Sequence, residues 1–144
     1  MTSAGTPPRV RVTLLWIQIT DNKEAVWDDE GEFRFRTRVT TAGRAHEVQI
    51  PEQGYWSISD HPRRNKVEKI DKVIFEGEAG DSLLIELSGL EMDQISPHDV
   101  LTPYRREFTG IATGWAGRHQ PSDEGPRDPE SLPDWRVAYD IEVV

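Results

Sequence analysis

The chain of 144 residues lacks cysteine, which excludes both a disulfide framework and a metal site built on thiolates. It also lacks any apolar run near the roughly 20 residues that a membrane-spanning helix requires. The N-terminal sequence MTSAGTPPRV contains no basic stretch followed by an apolar one, and this predicts no secretory signal and a cytoplasmic location. Together these absences indicate a soluble globular protein.

Basic residues are in the minority, with 17 Lys and Arg against 26 Asp and Glu, so the formal net charge is −9. Such a surface repels phosphate backbones, which argues against nucleic acid as a partner. Catalytic patterns are missing as well. There is no G-x-S-x-G, no glycine-rich phosphate loop and no pair of histidines at metal-ligand spacing. The sequence therefore predicts a protein that is not an enzyme.

The apolar residues are arranged for strands. Several segments are rich in β-branched and aromatic residues, and EFRFRTRV alternates phenylalanine on one face with arginine on the other. Short strands joined by polar turns predict an all-β fold, an eight-stranded antiparallel β-sandwich. The eight predicted strands are 9–19, 32–39, 46–50, 55–59, 72–78, 82–88, 106–115 and 135–144.

A single domain is predicted over residues 9–144, preceded by a disordered segment, residues 1–8. Residues 116–134 are polar and rich in proline, and they are predicted to form a long surface loop before the last strand. The tryptophans of the first and last strands, Trp16 and Trp135, are predicted to lie in the core. For Trp56 and Trp115 the sequence allows either a core or a surface position.

Two acid-rich segments follow predicted strands. GLEMDQISPHDVL places Glu91, Asp93 and Asp99 around a short polar turn, and DNKEAVWDDEGE holds six acids within residues 21–32. Clustered carboxylates either repel one another in solvent or bind a hard cation such as calcium, which takes six to eight oxygen ligands. The alternative is a pair of solvated turns. The remaining candidate ligands, all within residues 21–32, are Asp21, Asp28, Asp29 and Glu32.

The stretch SLLIELSGLEMDQISPHDVL resembles the C2 domain family of lipid-binding β-sandwiches. In that family a strand leads into a loop with two spaced aspartates, a tip and a further aspartate before two apolar residues. Glu91, Asp93 and Asp99 stand at the matching positions, and VTLLWIQITDNKEAVWDDEGEFRFRTRV looks like the family's first calcium loop with its flanking strands. The resemblance implies calcium bound between two apical loops. The chain departs from the family at Glu91, where aspartate is usual.

Apolar residues stand between the acids of both segments: Val26, Trp27, Met92 and Ile95. The resemblance implies that such residues enter a lipid interface while calcium bridges carboxylates to anionic headgroups, and tryptophan suits that interface. The alternative is that they fold back onto the end of the sandwich as core. The expected partner is therefore an anionic membrane or a protein.

Three arginines, Arg34, Arg36 and Arg38, share one face of a predicted strand. Such a face could hold a phosphoinositide or another anion. The alternative is a solvated sheet face whose arginines pair with acids of neighbouring strands.

Three functions stay open at this point. The first is a non-catalytic, C2-like module that binds calcium at its apical loops and recruits a membrane or protein. The second is a calcium-independent interaction or assembly domain on the same scaffold. The third is a carbohydrate-binding module that stacks sugars on Trp56 or Trp115. The oligomeric state is not determined by the sequence.

Overall fold

The computed structural model of the protein describes residues 7–20, 30–59, 61, 65–91, 100–122 and 128–144. Over these ranges the chain consists of strands and a single 3-10 turn, Ala112–Gly114, so the all-β prediction is confirmed. No helix in these ranges is long and apolar enough to cross a membrane. The strands are β1 (Arg9–Ile19), β2 (Glu30–Thr41), β3 (Arg44–Ile50), β4 (Trp56–Ser59), β5 (Lys66–Val67), β6 (Lys72–Glu78), β7 (Ser82–Glu91), β8 (Tyr104–Thr109), β9 (Gly117–His119) and β10 (Trp135–Val143).

The strands form two antiparallel sheets that pack as a β-sandwich. In sheet 1, β5 and β6 both pair with β1, which is followed by β10 and β9. In sheet 2, β3 and β4 both pair with β2, which is followed by β7 and β8. The described residues thus hold ten strands rather than the predicted eight. The two additional strands, β5 and β9, have two and three residues and are too short to show alternation in the sequence.

The core lies between the sheets because the central strands alternate strictly. Along β7 every second residue from Leu83 is buried, and the same holds for β2 from Gly31 to Val39. The ring of Trp135 on β10 stacks on that of Phe35 on β2 with 5.7 Å between centroids, which joins the two sheets. Each aromatic ring of this kind removes a large apolar area from water.

The prediction for Trp16 is wrong. A register shift between Leu14 and Trp16 inserts one additional residue into β1 opposite β10. Such a bulge interrupts the alternation of faces. The ring of Trp16 is consequently only half-buried, and the ammonium of Lys66 lies 4.0 Å from its centroid.

The prediction that residues 116–134 form a surface loop is also wrong in part. The segment contains β9, which pairs with β10. Three of its acids, Asp128, Glu130 and Asp134, are buried. Glu130 accepts from Arg106 and Asp134 from the Thr102 amide, whereas Asp128 accepts from the Glu130 amide within the same segment. Residues 1–6 lie outside the described ranges, and Pro8 accepts a hydrogen bond from the Ala79 amide at 2.8 Å.

Gly89 on β7 lies in close contact with the chain at Leu101. A Cβ at this position would lie 2.5 Å from Leu101 Cδ1 and 2.9 Å from the ring of Phe35. The Leu101 amide also donates to the Gly89 carbonyl at 2.9 Å. The buried side chain of Leu101 therefore fills the space that a side chain at position 89 would occupy.

We expect Gly89→Ala to lower the free energy of unfolding by about 1–3 kcal/mol, because the added methyl group overpacks the core. Urea unfolding monitored by tryptophan fluorescence measures this change. Gly114→Ala is the matched control, since nothing lies within 4 Å of its Cβ, and we expect a change within about 0.5 kcal/mol. Equal stability of the two variants would contradict the packing described at Gly89.

Candidate functional site

The strand ends next to the two acid-rich segments lie at one end of the sandwich, here called the loop end. Phe33 near the start of β2 pairs with Glu91 at the end of β7. Ile19 at the end of β1 pairs with Trp135 at the start of β10. Segment 92–99 is bounded by an antiparallel bridge between Leu90 and Val100. Segments 21–29 and 92–99 therefore both begin and end at the loop end.

Glu91 is a buried carboxylate on the core side of β7. Glu91 is the last of the alternating buried residues of that strand, and its side chain has no exposed surface. Its Oε1 accepts a hydrogen bond from the Glu32 amide at 2.9 Å. This contact holds the end of β7 against the start of β2.

Asp134 is the second buried carboxylate of the loop end, with 3% of its surface exposed. Its Oδ2 accepts from the Thr102 amide at 2.9 Å, and its backbone carbonyl accepts from the Thr20 amide at 2.9 Å. The indole nitrogen of Trp135 donates to the Thr102 carbonyl at 2.7 Å. Asp134 thus joins the chain just before segment 21–29 to the chain just after segment 92–99. The sequence analysis missed this residue, and its position beside Trp135 was the only available signal.

Most of the predicted calcium ligands lie outside the described residues: Asp21, Asp28, Asp29, Asp93 and Asp99. The same is true of the predicted membrane or partner contacts Val26, Trp27, Met92 and Ile95. Of the predicted ligands, Glu32 and Glu91 are described, and they are hydrogen-bonded to each other as above. Within the described ranges, no three acidic or histidine side chains are grouped as a metal site would require.

The three predicted anion-binding arginines differ in their contacts. Arg34 is half-buried and donates from Nε to the Gly54 carbonyl at 3.1 Å. Arg36 and Arg38 are exposed on the outer face of sheet 2, and in the described part of the chain neither has a carboxylate within 4 Å. On sheet 1, by contrast, Arg11 lies 2.7 Å from Glu76, so its charge is matched.

A buried polar network that the sequence analysis did not predict joins β8 to β10. The hydroxyls of Tyr104 and Tyr139 are hydrogen-bonded to each other, and Tyr104 donates to Glu130 Oε2 at 3.0 Å. Arg106 Nη1 lies 2.9 Å from the same oxygen. The ring of His119 stacks on Tyr139 at 5.3 Å, which completes the network. These contacts cover the side of the sandwich where β8 faces β9.

Burial raises the pKa of both phenols in this network, and the neighbouring Glu130 carboxylate raises them further. Tyr104 and Tyr139 are therefore neutral hydrogen-bond donors at ordinary pH and cannot act as bases. Their hydrogen bonds join β8 to β10 and to Glu130.

The raised pKa values predict the response of the protein to alkali. Tyrosine in the unfolded chain titrates near pH 10. Because folding raises the pKa of Tyr104 and Tyr139, their contribution to stability is complete below about pH 10 and falls as the pH rises above it. We expect their phenolate absorbance to appear only together with loss of the circular dichroism of the fold. Chain unfolded in urea is the reference, and ionisation of both phenols in folded protein would contradict the burial described here.

Trp115 and Trp56 differ in how far they are buried. Trp115 is 2% exposed, and its indole nitrogen donates to the Thr109 carbonyl at 3.0 Å, so it offers no ring to a sugar. Trp56 is half-buried beside Phe35, with 6.2 Å between ring centroids.

Comparisons with protein-family models and with curated proteins give no match for this chain.

Proposed function

We propose that the protein is a non-catalytic, C2-like binding module whose loop end binds calcium. The observation that carries the proposal is the pairing of Phe33 with Glu91, because it makes neighbours of the strand ends from which segments 21–29 and 92–99 extend. Two acid-rich segments far apart in the sequence thus share one end of the sandwich. Had their strands ended at opposite ends, no cation could have bridged them.

Charge supports the same proposal. The chain carries a net charge of −9, and carboxylates gathered at one end repel one another unless a cation lies between them. The loop end already holds the buried carboxylates Glu91 and Asp134, each of which accepts a backbone amide. In this proposal Glu91 fixes the strand ends, and the coordinating oxygens come from Asp21, Asp28, Asp29, Asp93 and Asp99.

Bound calcium would also give the module its partner. Carboxylates whose charge is offset by a cation can approach an anionic membrane or protein surface. Val26, Trp27, Met92 and Ile95 are the apolar residues of the same two segments, and they are the side chains that would enter such a surface.

Calcium titration tests the proposal. We expect calorimetry to show saturable binding, and calcium at ten times Kd to stabilise the fold by about 1.4 kcal/mol, or roughly 4 °C in Tm. The double variant Asp93→Asn, Asp99→Asn should lose both responses. A Tm and a heat that do not change at millimolar calcium would refute the proposal.

The matched control removes the same charge from the other end of the sandwich. Glu78 and Asp81 are exposed at the far ends of β6 and β7, so Glu78→Gln with Asp81→Asn should leave calcium binding unchanged. Equal loss in both double variants would mean that net charge, and not a site at the loop end, determines the response.

A second candidate function, calcium-independent anion binding, rests on the outer face of sheet 2. Arg36 and Arg38 have no carboxylate within 4 Å among the described residues, although Glu47 and Glu86 are the cross-strand neighbours of Arg38. Leu90 and Val100 lie beside Arg36 in a cavity of about 330 Å³. Unmatched guanidinium groups next to apolar surface suit the phosphate groups of a phosphoinositide headgroup.

Sedimentation with phosphatidylinositol bisphosphate liposomes in EDTA tests this candidate. Since each arginine near an anionic surface contributes about 1 kcal/mol, we expect Arg36→Gln with Arg38→Gln to weaken binding roughly thirtyfold. Arg118→Gln is the control, because Arg118 is paired with Asp140 at 3.0 Å on the other sheet. Equal binding of the wild type and the double variant would exclude this face as the site.

A further inference from the structure

The two lateral sides of the sandwich are closed to different extents. On one side the Tyr104, Tyr139 and Glu130 network covers the core. On the other side, here called the open side, the edge strand β3 of sheet 2 faces the edge strand β6 of sheet 1. Of the six apolar residues that are only partly buried against the core, five lie on the open side: Val48, Trp56, Val67, Ile70 and Phe75.

A cavity of about 320 Å³ opens on this side beside the end of β3. Its apolar lining includes the half-buried ring of Trp56, and the ion pair between Glu52 and Lys72, 2.9 Å apart, lies at its rim. The volume suits one large apolar side chain. The other apolar lining residues are Ile50, Pro51, Val67 and Ile70.

The wall of this cavity contains an unusual stretch of backbone. Lys69 in the wall and Asp71, two residues further along the chain, have φ values of +58° and +44°, in the left-handed region that residues with a Cβ rarely adopt. Between them, the Ile70 amide donates to the Leu15 carbonyl at 3.0 Å, which fixes the segment against β1. Strained backbone of this kind is often found where a protein holds a ligand.

The free edge of β3 shows what kind of occupant fits. β2 and β3 are joined by the two residues Ala42 and Gly43, so Thr41 and Arg44 form the hydrogen-bonded pair that closes the hairpin. Hydrogen-bonded and non-hydrogen-bonded pairs alternate along an antiparallel ladder. The backbone groups that point away from β2 are therefore those of Ala45, Glu47 and Gln49. An occupant that matches them must itself have a peptide backbone.

We propose that the open side binds an extended basic peptide as an additional strand along β3. An apolar side chain of the peptide enters the cavity beside Ile50, and a basic side chain lies beside Glu47, the one charged residue among the three that face outward. Ile50 and Glu47 are three positions apart, so the apolar and basic residues of the peptide are also three apart. A second copy of this chain fits less well, since each copy carries a net charge of −9.

Fluorescence anisotropy with labelled synthetic decapeptides tests the proposal in EDTA, which separates it from calcium binding. The probe has alternating threonine and serine, one leucine, and one arginine three residues from it. We expect saturable binding, weakened about tenfold or more when leucine becomes alanine. Moving the arginine to two residues from the leucine places it on the wrong face, and this should also weaken binding.

Variants of β3 distinguish strand addition from other contacts. Glu47→Pro removes an amide that points away from β2, so the β2–β3 ladder is kept while peptide binding is lost. Glu47→Ala is the matched control, which keeps the amide and loses only the preference for arginine. Ala45→Pro, at the next outward residue, should give the same loss as Glu47→Pro and replaces it if that variant does not fold.

Three results would overturn the proposal. The first is that no decapeptide of the set binds. The second is that a folded proline variant binds the peptide as tightly as the wild type. The third is a dimer in light scattering that Glu47→Pro converts to a monomer, which would make a second copy the occupant of this edge.

Discussion

The register between β2 and β7 is the constraint on which most of the molecule depends. Shifting it by one residue would turn every buried side chain of β2 or β7 to solvent. The same register sets Phe33 opposite Glu91, which brings the carboxylate of β7 within hydrogen-bonding distance of the Glu32 amide. Core packing and the geometry of the loop end are therefore decided together, and neither can change without the other.

Two buried carboxylates hold strand ends together at the loop end. Glu91 and Asp134 are buried, and each binds a backbone amide, so they act as cross-links between strand ends. They fix the described residues from which segments 21–29 and 92–99 extend.

The two lateral sides show how a small sandwich treats its edges differently. A sheet edge is a template for another strand unless it is covered or interrupted. Between β8 and β9 the gap is covered by tyrosine, arginine and glutamate side chains that satisfy one another's hydrogen bonds. Between β3 and β6 the cover consists of partly buried apolar residues, and among the described residues no further strand pairs with β3. The first side is closed by polar contacts, and the second is the side for which we propose peptide binding.

Alternation along the chain was enough to predict the all-β class, seven of the ten strands with their approximate bounds, and the inward phenylalanines of β2. It failed where alternation is interrupted or too short to read. The bulge at Leu14 and Trp16 turned a predicted core tryptophan partly outward, and β5 and β9 have too few residues to form a pattern. In place of the strand predicted over 106–115, the structure has β8 at Tyr104–Thr109. The strand ends earlier than predicted because the chain turns through Ala112–Gly114.

The sequence by itself determined the periodicity of the strands, the excess of negative charge and the presence of two acid-rich segments, because these are properties of neighbouring residues. Only the tertiary structure decided that those segments leave from one end, that Asp134 joins their bases, and that one side of the sandwich stays open. Such features depend on contacts between residues far apart in the chain, such as Thr102 with Asp134 and Tyr104 with Tyr139. No local pattern specifies which distant partner a strand will have.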